Sequence, residues 1–225
     1  MVRTLVGHSN LKKSDTVYDI GAGSGVISSV LATECKNVVA VEYDERVIEK
    51  LRDNVASFPN VEVVNADFLT LPLPKNDYKV FANIPFHLSS PILRKLTDTS
   101  TPPSATYLIV QKQFAKKLII GGTASFTGLL GAMIAPWFKT SIRYKLERTD
   151  FWPHPAVDTV MIEIIPRKDP LLDRNSKPAY DSFVERCYAR QKYFATLPVT
   201  LTKNMRPSQL SADDWIALFQ SSKSA

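Results

Sequence analysis

The chain is poor in the residues that staple unusual folds. Its two cysteines, Cys35 and Cys187, occur in 225 residues without a CxxC or Cys/His spacing. That excludes a disulfide framework and a zinc-ligand motif, and points to a reducing cytoplasm. Its three histidines, His8, His87 and His154, are dispersed, so no metal is expected. Eight glycines without a period exclude a collagen-like chain. No run approaches the ~18 apolar residues of a membrane-spanning helix. The opening MVRTLVGHSNLKKSD also lacks the apolar core and cleavage site of a signal peptide. What is present is 44% hydrophobic and 10% aromatic. That is too apolar for disorder, and enough for one substantial core with a small appended domain. A soluble cytoplasmic monomer, bound to no membrane, is expected.

The formal net charge of +6 is unevenly spread. Residues 1–93 carry 9 basic and 11 acidic side chains, residues 94–149 carry 9 and 2, and residues 167–225 carry 10 and 6. A slightly acidic first half followed by two basic segments suits a small-molecule site beside a polyanion-facing surface. An ordinary solvated basic surface is the alternative. Lys112, Lys116, Lys117, Arg143, Lys145 and Arg148 are the candidates for that surface.

Short β-branched runs at 16–20, 37–42, 61–64, 78–83 and 105–110 read as buried strands. Helical patterns fall near 25–34, 44–56, 89–98 and 111–119. Asp44 is placed to cap the second, with Val47, Ile48, Leu51 and Val55 on its apolar face. Such alternation predicts a mostly parallel sheet with right-handed crossovers. After residue 140 the rhythm changes to two strands, 142–148 and 158–165, joined by a Pro-punctuated turn that predicts an antiparallel edge. Residues 179–220 show only helical patterns. The expected organisation is a sheet domain over 1–166 and a small helical domain over 167–225.

The first strand runs into Asp19-Ile20-Gly21-Ala22-Gly23-Ser24-Gly25 and an apolar helix. A glycine-rich turn there lets backbone approach a ligand and aims N–H groups from the helix N-terminus. Glu42 ends the second strand, where an acid accepts from ribose hydroxyls, and Tyr43 follows it. The dinucleotide fingerprint wants Gly or Ala where this chain has Val26. The D-x-G-x-G-x-G pattern instead resembles the first motif of S-adenosyl-L-methionine-dependent methyltransferases, which implies Asp19 near the methionine portion. Asp67 and Phe68, after the third strand, match that group's acid for the adenine amine and its apolar neighbour.

The fourth strand ends in Asn83-Ile84-Pro85-Phe86, which is similar to the (N/D)-P-P-(Y/F) motif of amino-group methyltransferases. An adenine amine is a weak nucleophile because its lone pair is delocalised into the ring. Acceptors for both its hydrogens, the Asn83 side-chain oxygen and the Ile84 carbonyl, turn that lone pair toward a methyl group. Positioning and electrostatics then supply the rate. Pro85 stiffens the turn and Phe86 offers a stacking face for an extruded base. A strand-ending turn with a core Phe is the plainer alternative.

Together DIGAGSG, VEYD, NADF, NIPFHLSSPIL, LIVQKQFAKKL and FWPHPAVDTVMIEI resemble the rRNA adenine N6-dimethyltransferases over about residues 3–200. The likeness is greatest to the erythromycin-resistance (Erm) branch acting on 23S rRNA. It implies an α/β fold: a seven-stranded, mostly parallel Rossmann-like methyltransferase sheet with an antiparallel edge strand, plus a small C-terminal helical domain that binds RNA. It implies S-adenosyl-L-methionine as cofactor, held by Asp19, Gly21, Gly23, Glu42, Tyr43, Asp67, Phe68 and Asn83. Catalysis falls to Asn83, Ile84, Pro85, Phe86 and Phe151, the last being the aromatic of an F-x-P-x-P-x-V element. The partner implied is rRNA, 23S before 16S-type, with macrolide-lincosamide-streptogramin resistance as the outcome. A small-subunit dimethyltransferase is one alternative and a non-catalytic nucleic-acid-binding relative another. The family's usual Gln-Asn/His-Phe-Leu opening has no match here.

Overall fold

The computed structural model describes residues 1–120, 126–150, 156–198, 202 and 205–223. Its strands are β1 (Thr16–Ile20), β2 (Asn37–Glu42), β3 (Val61–Asn65), β4 (Lys79–Asn83), β5 (Ala105–Gln111), β6 (Phe138–Leu146) and β7 (Thr159–Pro166). They form one sheet in the order β3-β2-β1-β4-β5-β7-β6. β1 pairs in parallel with β2 and β4, β2 with β3, and β4 with β5; β7 runs antiparallel to β5. This is the expected mostly parallel Rossmann-like sheet. The order reverses between β1 and β4, and at such a switch point adjacent crossovers leave on opposite sides and open a crevice. Register makes the strand ends flush there, with Ile20 opposite Val41 and Glu42 opposite Asn65.

The first four helices are α1 (Val2–Gly7), α2 (Val26–Glu34), α3 (Glu45–Val55) and α4 (Ser89–Thr97). α3 forms as its sequence predicts. The Asp44 carboxylate accepts from Arg46 N at 3.0 Å, capping the first turn, while Ile48, Leu51 and Val55 are buried. Leu5, Val17, Leu31, Val38, Phe81, Tyr107, Ile109 and Met161 share one apolar cluster. Each such side chain contributes roughly 1.5–3 kcal/mol by leaving water. β3 departs from expectation. Lying at the sheet's edge, it has no residue in the buried class, whereas 61–64 read as a buried strand. β6 is the opposite edge and begins at Phe138, four residues before the apolar run predicts, with exposed and covered residues alternating.

The chain divides into two compact units, one of Met1–Lys112 with Ser141–Ile165, the other of Gln113–Thr140 with Pro166–Ala225. The expected division left 113–140 with the sheet domain; the structure groups it with the C-terminal helices. In this second unit α5 (Lys112–Leu118) enters from Gln113 onward, followed by α6 (Leu129–Ile134), α7 (Lys177–Ala189), α8 (Gln191–Thr196) and α9 (Ala212–Lys223). Side-chain hydroxyls of α7 explain the grouping. Tyr180 donates to Ala132 O at 3.1 Å and Tyr188 to Thr127 O at 2.7 Å. Tyr180 also meets Phe219 edge-on with centroids 5.2 Å apart. Trp137 and Trp215 are both buried, as their apolar settings predict.

Gly131 allows α6 to cross the end of α5 closely. A Cβ there would lie 2.4 Å from Lys117 O and 2.9 Å from Leu118 Cα, both backbone atoms. Gly131→Ala is therefore expected to destabilise the protein by about 1–3 kcal/mol through overpacking. Urea unfolding checks this; a midpoint equal to wild type would mean the helices separate at little cost.

Candidate active site

Four successive strand ends converge on one cavity of about 240 Å³. Gly21 comes from the turn after β1, Glu42 and Tyr43 from the end of β2, and Asp67 and Phe68 from the segment after β3. Pro85, His87 and Leu88 come from the turn after β4, and Ile92 from α4. Of the residues expected to hold a cofactor, Gly21, Glu42, Tyr43, Asp67 and Phe68 thus line one space. Asp19, Gly23 and Asn83 are not among its lining residues.

The glycine turn has the left-handed backbone its sequence predicts, with φ of 70° at Gly21, 54° at Gly23 and 84° at Gly25. Of the three, only Gly25 also needs its Cβ to be missing. At Gly25 it would strike Leu51 Cδ1 at 2.7 Å, so α3 packs directly under the turn. At Gly21 it would touch Pro85 Cδ at 3.5 Å, which places the turn after β4 against the turn after β1.

Glu42 is bonded from three backbone N–H groups. Its Oε1 accepts from Tyr43 N and Asp44 N, each at 2.8 Å, and Oε2 accepts from Gly23 N at 2.8 Å. A carboxylate offers about four lone-pair sites, so about one remains, on Oε2. The pair of ribose hydroxyls expected on Glu42 therefore meets a carboxylate with room for one. Gly23, though outside the cavity lining, acts through this bond.

Asp19 is fully buried. Its Oδ2 accepts from Ser28 Oγ at 2.6 Å, while Oδ1 has no hydrogen-bond partner. An orphaned buried acceptor costs roughly 1–3 kcal/mol. Burial pushes the Asp19 carboxyl up to about 7; the Ser28 hydroxyl and N–H oppose the rise and the charge of Glu42 adds to it.

Asp67 Oδ1 accepts from Leu69 N at 2.8 Å, fixing its own turn. Phe68 is buried and Tyr43 is 74% exposed, so the cavity has one apolar inner wall and one solvent-facing rim. Asn83 is exposed at the end of β4, Ile84 is buried, and Phe86, 37% exposed, opens a short 3-10 turn, Phe86–Leu88. The plainer alternative of a core Phe86 is thereby disfavoured. Phe151 lies outside the described residues. Leu88 and Ile92 line the cavity without a motif of their own, and His87, beside the Asn-Ile-Pro-Phe motif, lines it too rather than only offering an RNA contact. The i, i+4 pairing of Leu88 and Ile92 after the Asn-Ile-Pro-Phe motif was the available signal.

The basic candidates are partly engaged. Lys112 and Arg148 both reach Asp158, at 3.2 and 3.5 Å, and Arg143 reaches Glu163 at 3.9 Å. Lys116 and Lys117 are exposed. Among the described residues no helix is long and apolar enough to cross a membrane, and no cluster of His, Cys, Asp or Glu could hold a metal.

A family model described as ribosomal RNA adenine dimethylase matches residues 1–212. The chain is 29% identical over 223 residues to an rRNA adenine N-6-methyltransferase of Lysinibacillus sphaericus, covering 95% of this chain and 88% of the relative. It is 25% identical over 201 residues to the ribosomal RNA small subunit methyltransferase A of Latilactobacillus sakei subsp. sakei (strain 23K), covering 85% and 68%. Among solved structures it matches the 23S rRNA methyltransferase ErmE with a TM-score of 0.82 at 25% identity, covering 98% of this chain and 96% of that one.

Asp19 carries a pH signature. Its folded value of about 7 exceeds the unfolded carboxyl value near 3.9, so the folded protein holds the proton more tightly. Stability is then highest below pH ~4 with respect to this group, and falls by up to about 4 kcal/mol as pH rises through 7. Asp19→Asn, neutral throughout, is expected to flatten the difference between urea unfolding at pH 5.5 and pH 8. An unchanged difference would assign it to other groups.

Proposed function

The chain belongs to the ribosomal RNA adenine dimethylase family of S-adenosyl-L-methionine-dependent methyltransferases, and from that premise we propose that it methylates N6 of an adenine in 23S rRNA. The observation that carries this reading is the single cavity lined by Gly21, Glu42, Asp67, Phe68 and Pro85. It supports a nucleoside site two residues from Asn83.

The residues present suit the cofactor. The spare site on Glu42 Oε2 takes one ribose hydroxyl. Asp67, with Oδ1 committed to Leu69 N, offers Oδ2 to the adenine amine, and Phe68 packs on the base. Asp19, two residues before Gly21, has an unpartnered Oδ1 that suits the ammonium of the methionine portion. When bound, S-adenosyl-L-methionine supplies an electrophilic methyl group on a sulfonium.

The chain's own residues prepare the nucleophile. The Asn83 carboxamide is exposed at the strand end, so its oxygen accepts one amine hydrogen while the Ile84 carbonyl accepts the other. That pairing localises the nitrogen lone pair, and a preorganised acceptor needs no rearrangement as positive charge grows on nitrogen. Pro85, at φ −56°, holds both acceptors in one turn. The exposed face of Phe86 stacks on the extruded adenine, returning ~1–3 kcal/mol of the unstacking cost. Phe151 is proposed as the second wall, and the helical unit with its basic residues as the support for rRNA.

The 23S assignment draws on the likeness to the 23S rRNA methyltransferase ErmE, 25% identical and covered over 96% of its length. It would make the product a macrolide-lincosamide-streptogramin resistance modification. A 16S-type rRNA is the second reading, supported by the small-subunit relative. Incubation with labelled S-adenosyl-L-methionine and separated 16S and 23S rRNA, followed by mapping of the methylated base, decides between them. Label in 23S alone is expected.

Asn83→Ala is expected to keep fold and RNA affinity but lose on the order of 100-fold in single-turnover rate, the scale for removing one transition-state acceptor. A near-normal rate would remove Asn83 from catalysis.

A further inference from the structure

Lys95 sits in the last turn of α4, yet its ammonium is spent on a different part of the chain. Nζ donates to Leu69 O at 2.8 Å and to Leu71 O at 2.5 Å. It also lies 5.2 Å from the centroid of the Phe68 ring. All three contacts are with the segment 66–71, which belongs to no helix or strand and carries Asp67 and Phe68. Irregular backbone of this kind has no ladder to fix it, so donors from elsewhere determine where its side chains point. Asp67 supplies one internal tie, to Leu69 N. Lys95 supplies the external ones.

The arrangement is partly buried. Desolvation holds the Lys95 ammonium below the usual lysine range, and the Asp67 carboxylate opposes that shift. The cation therefore gives up hydration for two carbonyls, an aromatic face and a nearby acid. A charge-assisted bond is roughly twice as strong as a neutral one, and two of them bridge positions two residues apart. α4 also begins immediately after the turn carrying Asn83 to Leu88. One short helix thus connects the acceptor turn to the segment under the nucleoside.

We propose that Lys95 is a positioning residue that sets the Asp67–Phe68 segment for recognition of the adenine ring of the methyl donor. This rests on the reading of Asp67 as acceptor for the adenine amine. A merely structural lysine would change stability alone. A positioning lysine changes selectivity, because the acid it aims tells an amine donor from a carbonyl.

The test is calorimetric titration of the full chain with S-adenosylhomocysteine and with its hypoxanthine analogue, in which the 6-amino group is replaced by oxygen. Wild type is expected to favour the adenine compound, since a site built to accept from an amine rejects an analogue without it. Lys95→Met keeps the stem and removes the donors; it is expected to narrow that preference about tenfold, or about 1.4 kcal/mol. Lys95→Arg, which keeps charge and donors, is expected to stay within about threefold of wild type. Should Lys95→Met fail to fold, Lys95→Gln is expected to narrow the preference to a lesser degree. A folded Lys95→Met, or failing that Lys95→Gln, with the wild-type preference overturns the proposal. Asp67→Asn separates the two levels, since its amide is expected to shift preference toward the hypoxanthine compound. If wild type and Asp67→Asn bind both compounds alike, the reading of Asp67 fails and the role of Lys95 with it.

Discussion

The carboxylate of Glu42 is the interaction on which the site's geometry depends. It gathers backbone N–H groups from Gly23, Tyr43 and Asp44, and so ties the turn after β1 to the turn after β2. Its own carbonyl accepts from Ala66 N at 3.0 Å and Asn65 Nδ2 at 2.9 Å, extending the tie to the end of β3. Gly21 N and Ala22 N meanwhile bond to Val41 O, at 2.8 and 3.1 Å. Parallel strands leave unpaired N–H groups at their ends, and each needs a partner when partly buried. Here one residue satisfies much of that need. Three loops that share no sequence proximity acquire a common origin, and the cavity is the space they leave.

Polar groups at the other end of the sheet have a different character. Lys79, nearly buried, donates to Asp15 Oδ2 at 2.7 Å and to Asn10 O at 2.8 Å. Tyr107 Oη accepts from Asn10 N at 2.9 Å and donates to Glu163 Oε1 at 2.7 Å. There the buried polar atoms are paired with one another, as a folded core demands. Asp67, which lines the cavity, keeps one oxygen outside its turn, and Asp19 Oδ1, buried within β1, is orphaned. The contrast is a physical one. The satisfied end stabilises, whereas the orphaned Asp19 oxygen costs stability.

The sheet was legible in the sequence because its strands are buried, β-branched and separated by good helices. The glycine turn, Glu42, Asp67 and the Asn83–Phe86 motif were legible because each falls at a strand end, where the chain must turn and side chains face a ligand. Other features were hidden for identifiable reasons. α6 is six residues of LLGAMI, too short and too uniformly apolar to show a helical face. The grouping of 113–140 with the C-terminal helices follows from tyrosine hydroxyls on α7, contacts across some fifty residues of chain that no local pattern reports. β3 kept its strand identity but lost its burial, since a run of valines does not reveal which strand is the edge.

Lys95 shows the limit most clearly. In sequence it is one more base in a basic segment, on the polar side of an amphipathic helix, and nothing distinguishes it from Arg94. The structure separates them by where the chain returns. α4 packs so that its last turn meets the segment that left β3 two dozen residues earlier, and the ammonium finds two carbonyls, at Leu69 and Leu71, and the Phe68 ring. α4 thus runs from the turn after β4 to the segment after β3 and joins the two. Displacing one by a fraction of an ångström moves the frame that supports the other, because packed elements shift as units rather than deform. Glu42 fixes the cavity from the β1–β3 side, and α4 fixes it from the β4 side. Between them no loop of the site is held by its own sequence alone.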